Sequence, residues 1–175
     1  MKIAILGKMR SGKDEFAGFF IDYGLTKLSF GDEIGRVIAK YFPEAFLDGK
    51  PREHYQLIAQ TFRKLRATIW IDQLDQTIRE NGLTNVIVTD LRQQNEYEYL
   101  KANGYTIVKV EAADEVRLAR IAAAGDVFNP QVFHHETEEA VDLVPYDYLV
   151  TNNGTISELM EQAEYVLSEL KGTKN

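Results

Sequence analysis

Ile3, Ala4, Ile5 and Leu6 form an unbroken apolar run closed by Gly7. A run this short, ended by glycine, predicts a buried strand over 2–7. The period then changes. Phe16, Phe19 and Phe20 recur at i, i+3 and i+4, one face of a helix over 12–24, with Gly24 as its stop. Residues 26–30 read as a weak second strand. Ile34, Val37, Ile38, Tyr41 and Phe42 make the apolar stripe of a helix over 31–42, and the Pro- and Gly-containing stretch 43–51 reads as a loop. Ile58, Phe62, Leu65 and Ile69 are spaced by four, three and four, which predicts one long helix from about 52 to 81, ended by Asn81-Gly82.

Residues 85–90, "NVIVTD", are an apolar strand ending in aspartate. A short helix over 94–104 follows, with Asn95 and Glu98 at capping-box spacing. Residues 105–112 alternate and predict a strand; 114–125 predict a helix. Residues 126–145 hold no sustained period and contain Pro130, so they read mostly as loop, with room for a short helix. A last strand and turn span 146–154. The helix over 155–171 opens on a Thr155–Glu158 capping box and presents Ile156, Leu159, Met160, Ala163, Leu167 and Leu170 on its apolar face.

Strand and helix thus alternate about five times. That pattern predicts an α/β fold: a parallel sheet with helices on both faces and right-handed crossovers. Ligands of such sheets gather at the carboxyl ends of strands, which directs attention to the loops after Leu6, Phe30, Thr89, Val110 and Val150.

Composition narrows the function classes. The 175 residues suggest a single domain able to bury about 70% of its unfolded surface. There is no cysteine, hence no disulfide framework and no thiolate metal site; this fits a reducing cytoplasm. No apolar run approaches the ~18 residues of a membrane span, and the amino end reads as a first strand instead of a signal peptide. With 20 Lys+Arg against 27 Asp+Glu, the net charge of −7 disfavours nucleic acid and anionic membrane as partners. A polyanionic small molecule would have to be met by a local cluster of positive charge.

One loop has that character. Residues 7–13, "GKMRSGK", fit G-x-x-x-x-G-K between a strand and a helix. Gly7 and Gly12 let the backbone curl so that successive N–H groups of Lys8, Met9, Arg10 and Ser11 point at phosphate oxygens. The helix N-terminus adds positive potential, and Lys13 reaches the β- and γ-phosphates of a triphosphate. A hydroxyl that helps hold Mg²⁺ usually follows the lysine; here it is Asp14. Magnesium accepts carboxylate oxygen, so Asp14 takes over that task, with Asp90 assisting through water. The alternative, Asp14 as a helix-start residue alone, stays open. His134, His135 and Glu136 lack a third ligand at metal spacing and do not argue for zinc.

The loop "GKMRSGKD", the spacing of Arg52, Gln56, Arg63 and Trp70, the stretch "VTDLRQQNEYEYLKANGY" (88–105), and "HHETE" before "YDYLVTNNGTISEL" together resemble the bacteriophage-type deoxynucleoside monophosphate kinases of the wider P-loop nucleoside monophosphate kinase group. The resemblance implies a five-stranded sheet in the order 2-3-1-4-5 and ATP with Mg²⁺ on the loop. It implies a nucleoside monophosphate acceptor bound by helices between 31 and 81, and a short lid over about 114–135.

Phosphoryl transfer asks for alignment and positive charge, which arginine supplies bidentately. Arg92, just past a strand's carboxyl end, is the expected contact to the monophosphate, with Asp90 beside it. Arg117 and Arg120, at i and i+3 before the small residues 122–125, are expected to swing over the transferring phosphate. Family position suggests Asp32 and Arg36 near the acceptor and Arg63 near its phosphate; Arg66 lies on the same helical region. Asn152 and Asn153 are placed to edge the adenine. Two other readings stay open: a kinase of another small acceptor such as dephospho-coenzyme A, and a nucleotide sensor that does not transfer phosphate.

Overall fold

β1 (Lys2–Leu6) is buried on both of its sides. In this computed structural model, which describes residues 1–47, 49–125, 133 and 140–172, Ile3 and Ile5 face a core cluster built with Phe16, Phe20, Leu159, Ala163 and Val166. Ala4 and Leu6 point to the opposite side by the twofold period of a strand, and they too are fully buried. A strand covered on both faces sits inside a sheet.

That sheet has five strands, β1, β2 (Thr26–Leu28), β3 (Val86–Val88), β4 (Thr106–Glu111) and β5 (Tyr148–Thr151), in the order β2-β3-β1-β4-β5. All are parallel, with helices on both faces. Its register sets Ile3 beside Ile87 and Thr106, and Val110 beside Val150. The expected order is therefore found.

Seven α-helices are present among the described residues: α1 (Lys13–Asp22), α2 (Asp32–Tyr41), α3 (Arg52–Leu65), α4 (Ile69–Glu80), α5 (Gln94–Ala102), α6 (Asp114–Ala123) and α7 (Ile156–Gly172). Short 3-10 helices span Pro43–Phe46 and Ala140–Leu143. α1 stops as its sequence predicts. Gly24, at φ 107°, bonds back to Ile21, and the Leu25 N–H reaches the Phe20 carbonyl at 3.0 Å. This is the paired closure of a glycine-terminated helix.

The chain divides into two units, Met1–Lys27 with Asn85–Asn175, and Leu28–Thr84. The first holds most of the sheet, α1, α5, α6 and α7. The second holds α2, α3 and α4. There α2 packs on α3 and α3 on α4, with the Trp70 indole N–H bonded to the Ala59 carbonyl at 3.2 Å and its ring stacked on Phe62.

Several expectations need correction. The single helix over 52–81 is two, because Arg66 is extended (φ −152°, ψ 110°) and Thr68 opens a new helix. Threonine is a preferred helix-start residue, and the apolar stripe rotates across the break. Trp70, Ile71 and Leu74 are buried beyond it, while Leu65 is 82% exposed. Tyr41 and Phe42 are exposed as well. The strand expected over 105–112 is present as β4; although its sequence alternates, Ile107 through Val110 are all buried, since it lies between β1 and β5. α5 is capped by Glu96 on the Gln93 N–H instead of by an Asn95–Glu98 box. The Thr155–Glu158 box of α7 forms as expected, but Ile156 is exposed and Val166 takes its place in the core. His134, His135, Glu136 and the distal part of the 114–135 lid lie outside the described residues.

Candidate active site

The loop Gly7–Gly12 joins the carboxyl end of β1 to α1. Gly7 has no room for a side chain: a Cβ there would lie 2.5 Å from the Val110 carbonyl oxygen and 2.7 Å from Ser11 Oγ. Gly12 has φ 94°, and its Cβ would meet Asn152 Nδ2 at 1.9 Å. Both glycines are thus required, one by close approach and one by both close approach and left-handed backbone. Arg10 also adopts a left-handed conformation, φ 62°, alone among the described non-glycine residues.

The loop's carbonyls are gripped from behind. Arg117 Nε donates to the Met9 carbonyl at 2.8 Å, and Arg120 Nη1 to the Arg10 carbonyl at 3.2 Å. Asn152 Nδ2 donates to the Ser11 carbonyl at 2.8 Å. Each peptide unit is planar and trans, so the N–H across from a held carbonyl points the other way. The N–H groups of Arg10 and Gly12 are thereby directed to the opposite side, whereas the Ser11 N–H, expected to face a phosphate, closes a turn onto the Lys8 carbonyl at 3.2 Å. Ser11 is fully buried, and its hydroxyl has no hydrogen-bond partner among the described residues. A buried orphan hydroxyl in a cradle that a Cβ would fill fits an anion such as a phosphate.

Arg117 and Arg120 differ from the expected swinging pair. Arg117 is 1% exposed; besides Met9, it pairs with Asp114 at 2.7 Å and lies 4.2 Å above the Phe133 ring. Arg120 Nη2 donates to both the backbone oxygen and Oδ1 of Asn152 at 3.1 Å. Two guanidiniums this engaged brace the loop. Asn152 is buried beneath Gly12 and spends its side chain on the loop and Arg120. Asn153 Oδ1 accepts the Ala113 N–H at 2.7 Å, tying the β5 end to the start of α6.

Lys13 is the first residue of α1 and partly buried. Asp14 follows it, exposed, with Lys27 Nζ at 3.4 Å. Asp90 stands early in the loop between β3 and α5 and is partly buried, as is Arg92. Magnesium takes one or two carboxylates with phosphates and waters, so Asp14 and Asp90 suit it in chemistry and place in the chain. Lys8 turns its ammonium to Asp142 at 2.6 Å, and Lys109 reaches the same carboxylate at 2.9 Å. Burial works to raise the Asp142 carboxyl, but the hydrogen bonds and charges of Lys8 and Lys109 outweigh it and hold it below the usual carboxylate range. Lys109, buried in β4, gave no sequence signal beyond a charge in an apolar run.

In the second unit, Asp32 begins α2 and accepts from the Ser29 N–H at 2.8 Å and the Ser29 hydroxyl at 2.7 Å. Arg36 pairs with Glu33. Arg63 is partly buried near the end of α3, and Arg66 pairs with Asp72 at 3.3 Å. Exposed pairs of this kind hold their partners weakly, leaving both arginines open to a competing anion. Tyr55, not singled out from the sequence, sets its hydroxyl where a side chain at Gly35 would be. Burial, and then the charge of Asp32, push its phenol above the ordinary value.

A 2-3-1-4-5 parallel sheet with this loop between β1 and α1 defines a P-loop kinase fold. The structure is similar to TT1252 from Thermus thermophilus (20% identity, 97% of each chain covered, TM-score 0.64). It is similar to shikimate kinase from Acinetobacter baumannii (18% identity, 99% of this chain and 94% of that one, TM-score 0.63). It is also similar to dephospho-CoA kinase from Campylobacter jejuni (17% identity, 99% and 100%, TM-score 0.54). No curated protein matches the chain. The chain belongs to the deoxynucleotide monophosphate kinase family, whose model matches residues 61–163. That span excludes the phosphate loop, so family and loop are independent witnesses to a phosphotransferase.

Proposed function

We propose that the protein transfers the γ-phosphate of ATP to a nucleoside or deoxynucleoside monophosphate, with Mg²⁺. The observation that supports this most directly is the loop whose carbonyls are held by Arg117, Arg120 and Asn152, which fixes the shape of a glycine-bounded turn at the start of α1. Family membership over 61–163 supports the acceptor class.

Phosphoryl transfer needs little covalent help from the protein. An acceptor phosphate oxygen attacks the γ-phosphorus as the bond to the β-phosphate oxygen breaks, and ADP departs. Lys13 neutralises charge on the β- and γ-phosphates. Arg92 holds the acceptor's phosphate in line as a bidentate donor. Arg117 and Arg120 keep the loop in shape. Asp14, with Asp90 through water, would hold the magnesium, which supplies charge neutralisation between the phosphates. On the second unit the proposed acceptor contacts are Asp32, Arg36, Arg63 and Arg66. Residues 31–81 serve as the acceptor-binding region. Asn152 and Asn153 bound the adenine side of the loop.

The test is direct. The protein is incubated with ATP and Mg²⁺ and a panel of ribo- and deoxyribonucleoside monophosphates, and products are resolved chromatographically. ADP formed together with a nucleoside diphosphate, only when an acceptor is present, is expected. ADP formed at the same rate without acceptor, or none at all, refutes the assignment.

A further inference from the structure

We propose that Glu96 is the positioning residue that aims Arg92 at the acceptor. The inference rests on the reading of the site as a monophosphate kinase and adds to it a second residue in the acceptor machinery.

Glu96 is 3% exposed, although a carboxylate is costly to bury without donors. Its Oε2 accepts two consecutive main-chain N–H groups, those of Arg92 and Gln93, each at 3.1 Å. A helix cap requires only the second of these. The Thr155–Glu158 capping box shows the difference. Glu158 is exposed and takes the N–H and hydroxyl of a single residue, Thr155. Glu96 extends its reach one residue upstream, onto the residue that carries the guanidinium.

The opposite side of Arg92 is fixed as well. Leu91 is buried in the core and donates its N–H to the Ile5 carbonyl at 3.3 Å, in the strand that leads into the phosphate loop. Arg92 therefore stands between a core anchor and a carboxylate clamp. With its main chain pinned on both sides, the guanidinium retains only side-chain torsions. Asn95 Oδ1 accepts the Glu96 N–H at 3.0 Å, which adds a local tie at the residue that bears the carboxylate. Placement matters because in-line transfer loses rate steeply with small displacements of the acceptor.

Three substitutions separate aim from bulk stability. E96Q keeps an acceptor oxygen at the same reach. E96D keeps the charge but is one methylene short. E96A removes both. The expected result is a rise of about tenfold in acceptor KM for E96A and E96D, with ATP KM unchanged and E96Q near wild type. Hydrogen exchange at the Arg92 and Gln93 amides is expected to accelerate in E96A and E96D but not in E96Q. R92A placed on E96A is expected to add little to the acceptor KM, because both act on one contact. Should E96A not fold, E96D carries the same comparison.

Acceptor and ATP KM rising together, or folded E96D with wild-type acceptor KM, overturns the inference. A wild-type protein that transfers nothing to any monophosphate is a different failure, and removes the kinase reading together with the role for Glu96. Wild-type transfer with R92A weakened and E96D intact removes the Glu96 role alone.

Discussion

Gly12 and Asn152 form a pair that a double-mutant cycle isolates. Gly12→Ala introduces two separate penalties. The backbone at φ 94° is left-handed, which costs about 1–3 kcal/mol for a residue with a side chain. The new Cβ also meets Asn152 Nδ2 at 1.9 Å and Cγ at 3.2 Å, an overpacking of about 1–3 kcal/mol. Asn152→Ala alone loses the bonds to the Ser11 carbonyl and from Arg120, about 1–3 kcal/mol together. In the double variant the steric term is absent, because after truncation the nearest remaining neighbour is Arg120 Nη1 at 3.8 Å, an ordinary contact. The bonds of Asn152 that the new Cβ would have broken are not lost twice. The double variant is thus expected to be more stable than the sum of the singles by about 1–3 kcal/mol. Urea unfolding of the four proteins measures this, and with an m-value of about 2 kcal/mol/M the coupling moves the midpoint by roughly 0.5–1.5 M. Additivity within about 0.5 kcal/mol refutes the packing described for the loop.

Further outcomes concern the chemistry. Lys13→Ala is expected to abolish phosphate transfer, measured as diphosphate product, while the fold survives by circular dichroism. Arg92→Ala should raise acceptor KM by at least about tenfold and ATP KM little, as expected for a lost charge-assisted contact; unchanged acceptor kinetics refute its placement. Asp14→Asn should raise the Mg²⁺ concentration needed for half-maximal rate, and an unchanged magnesium titration assigns Asp14 to the helix start alone. Asp142 has a depressed folded-state pKa, so its contribution is present above its ordinary value of 3.8 and is lost as pH falls through the lower folded value. Asp142→Asn should therefore be less stable than wild type at neutral pH in urea titrations, with the gap closing in acid; a gap that persists in acid refutes the charge account.

Much of the fold was legible because local and global signals agree. The apolar runs of β1 and β3 and the phenylalanine stripe of α1 lie where the sheet needs them, and Gly24 stops α1 by a conformation open chiefly to glycine. The turn at 66–68 was not legible, since Arg66, Ala67 and Thr68 carry no proline or glycine and the apolar spacing runs through them. The loop could be read residue by residue, because close approach and left-handed backbone leave only glycine at 7 and 12. Its support could not. That Arg117, Arg120 and Asn152 turn to the loop's carbonyls depends on β5 and α6 arriving beside it, contacts separated by 108, 110 and 141 residues. Lys109 and Asp142 are joined in the same way, by β4 and the 3-10 helix Ala140–Leu143 meeting in space and not by sequence spacing.

The bracing of the phosphate loop by two arginines and an asparagine has a bearing on selectivity. On the proposed reading, an incoming nucleotide would find main-chain donors whose directions are already set, so little conformational entropy would remain for association to remove. A rigid cradle of amides reads only the polyphosphate tail that every nucleoside triphosphate shares. Discrimination between purines as phosphate donors must then be exerted at the far end of the molecule, by groups that touch the ring.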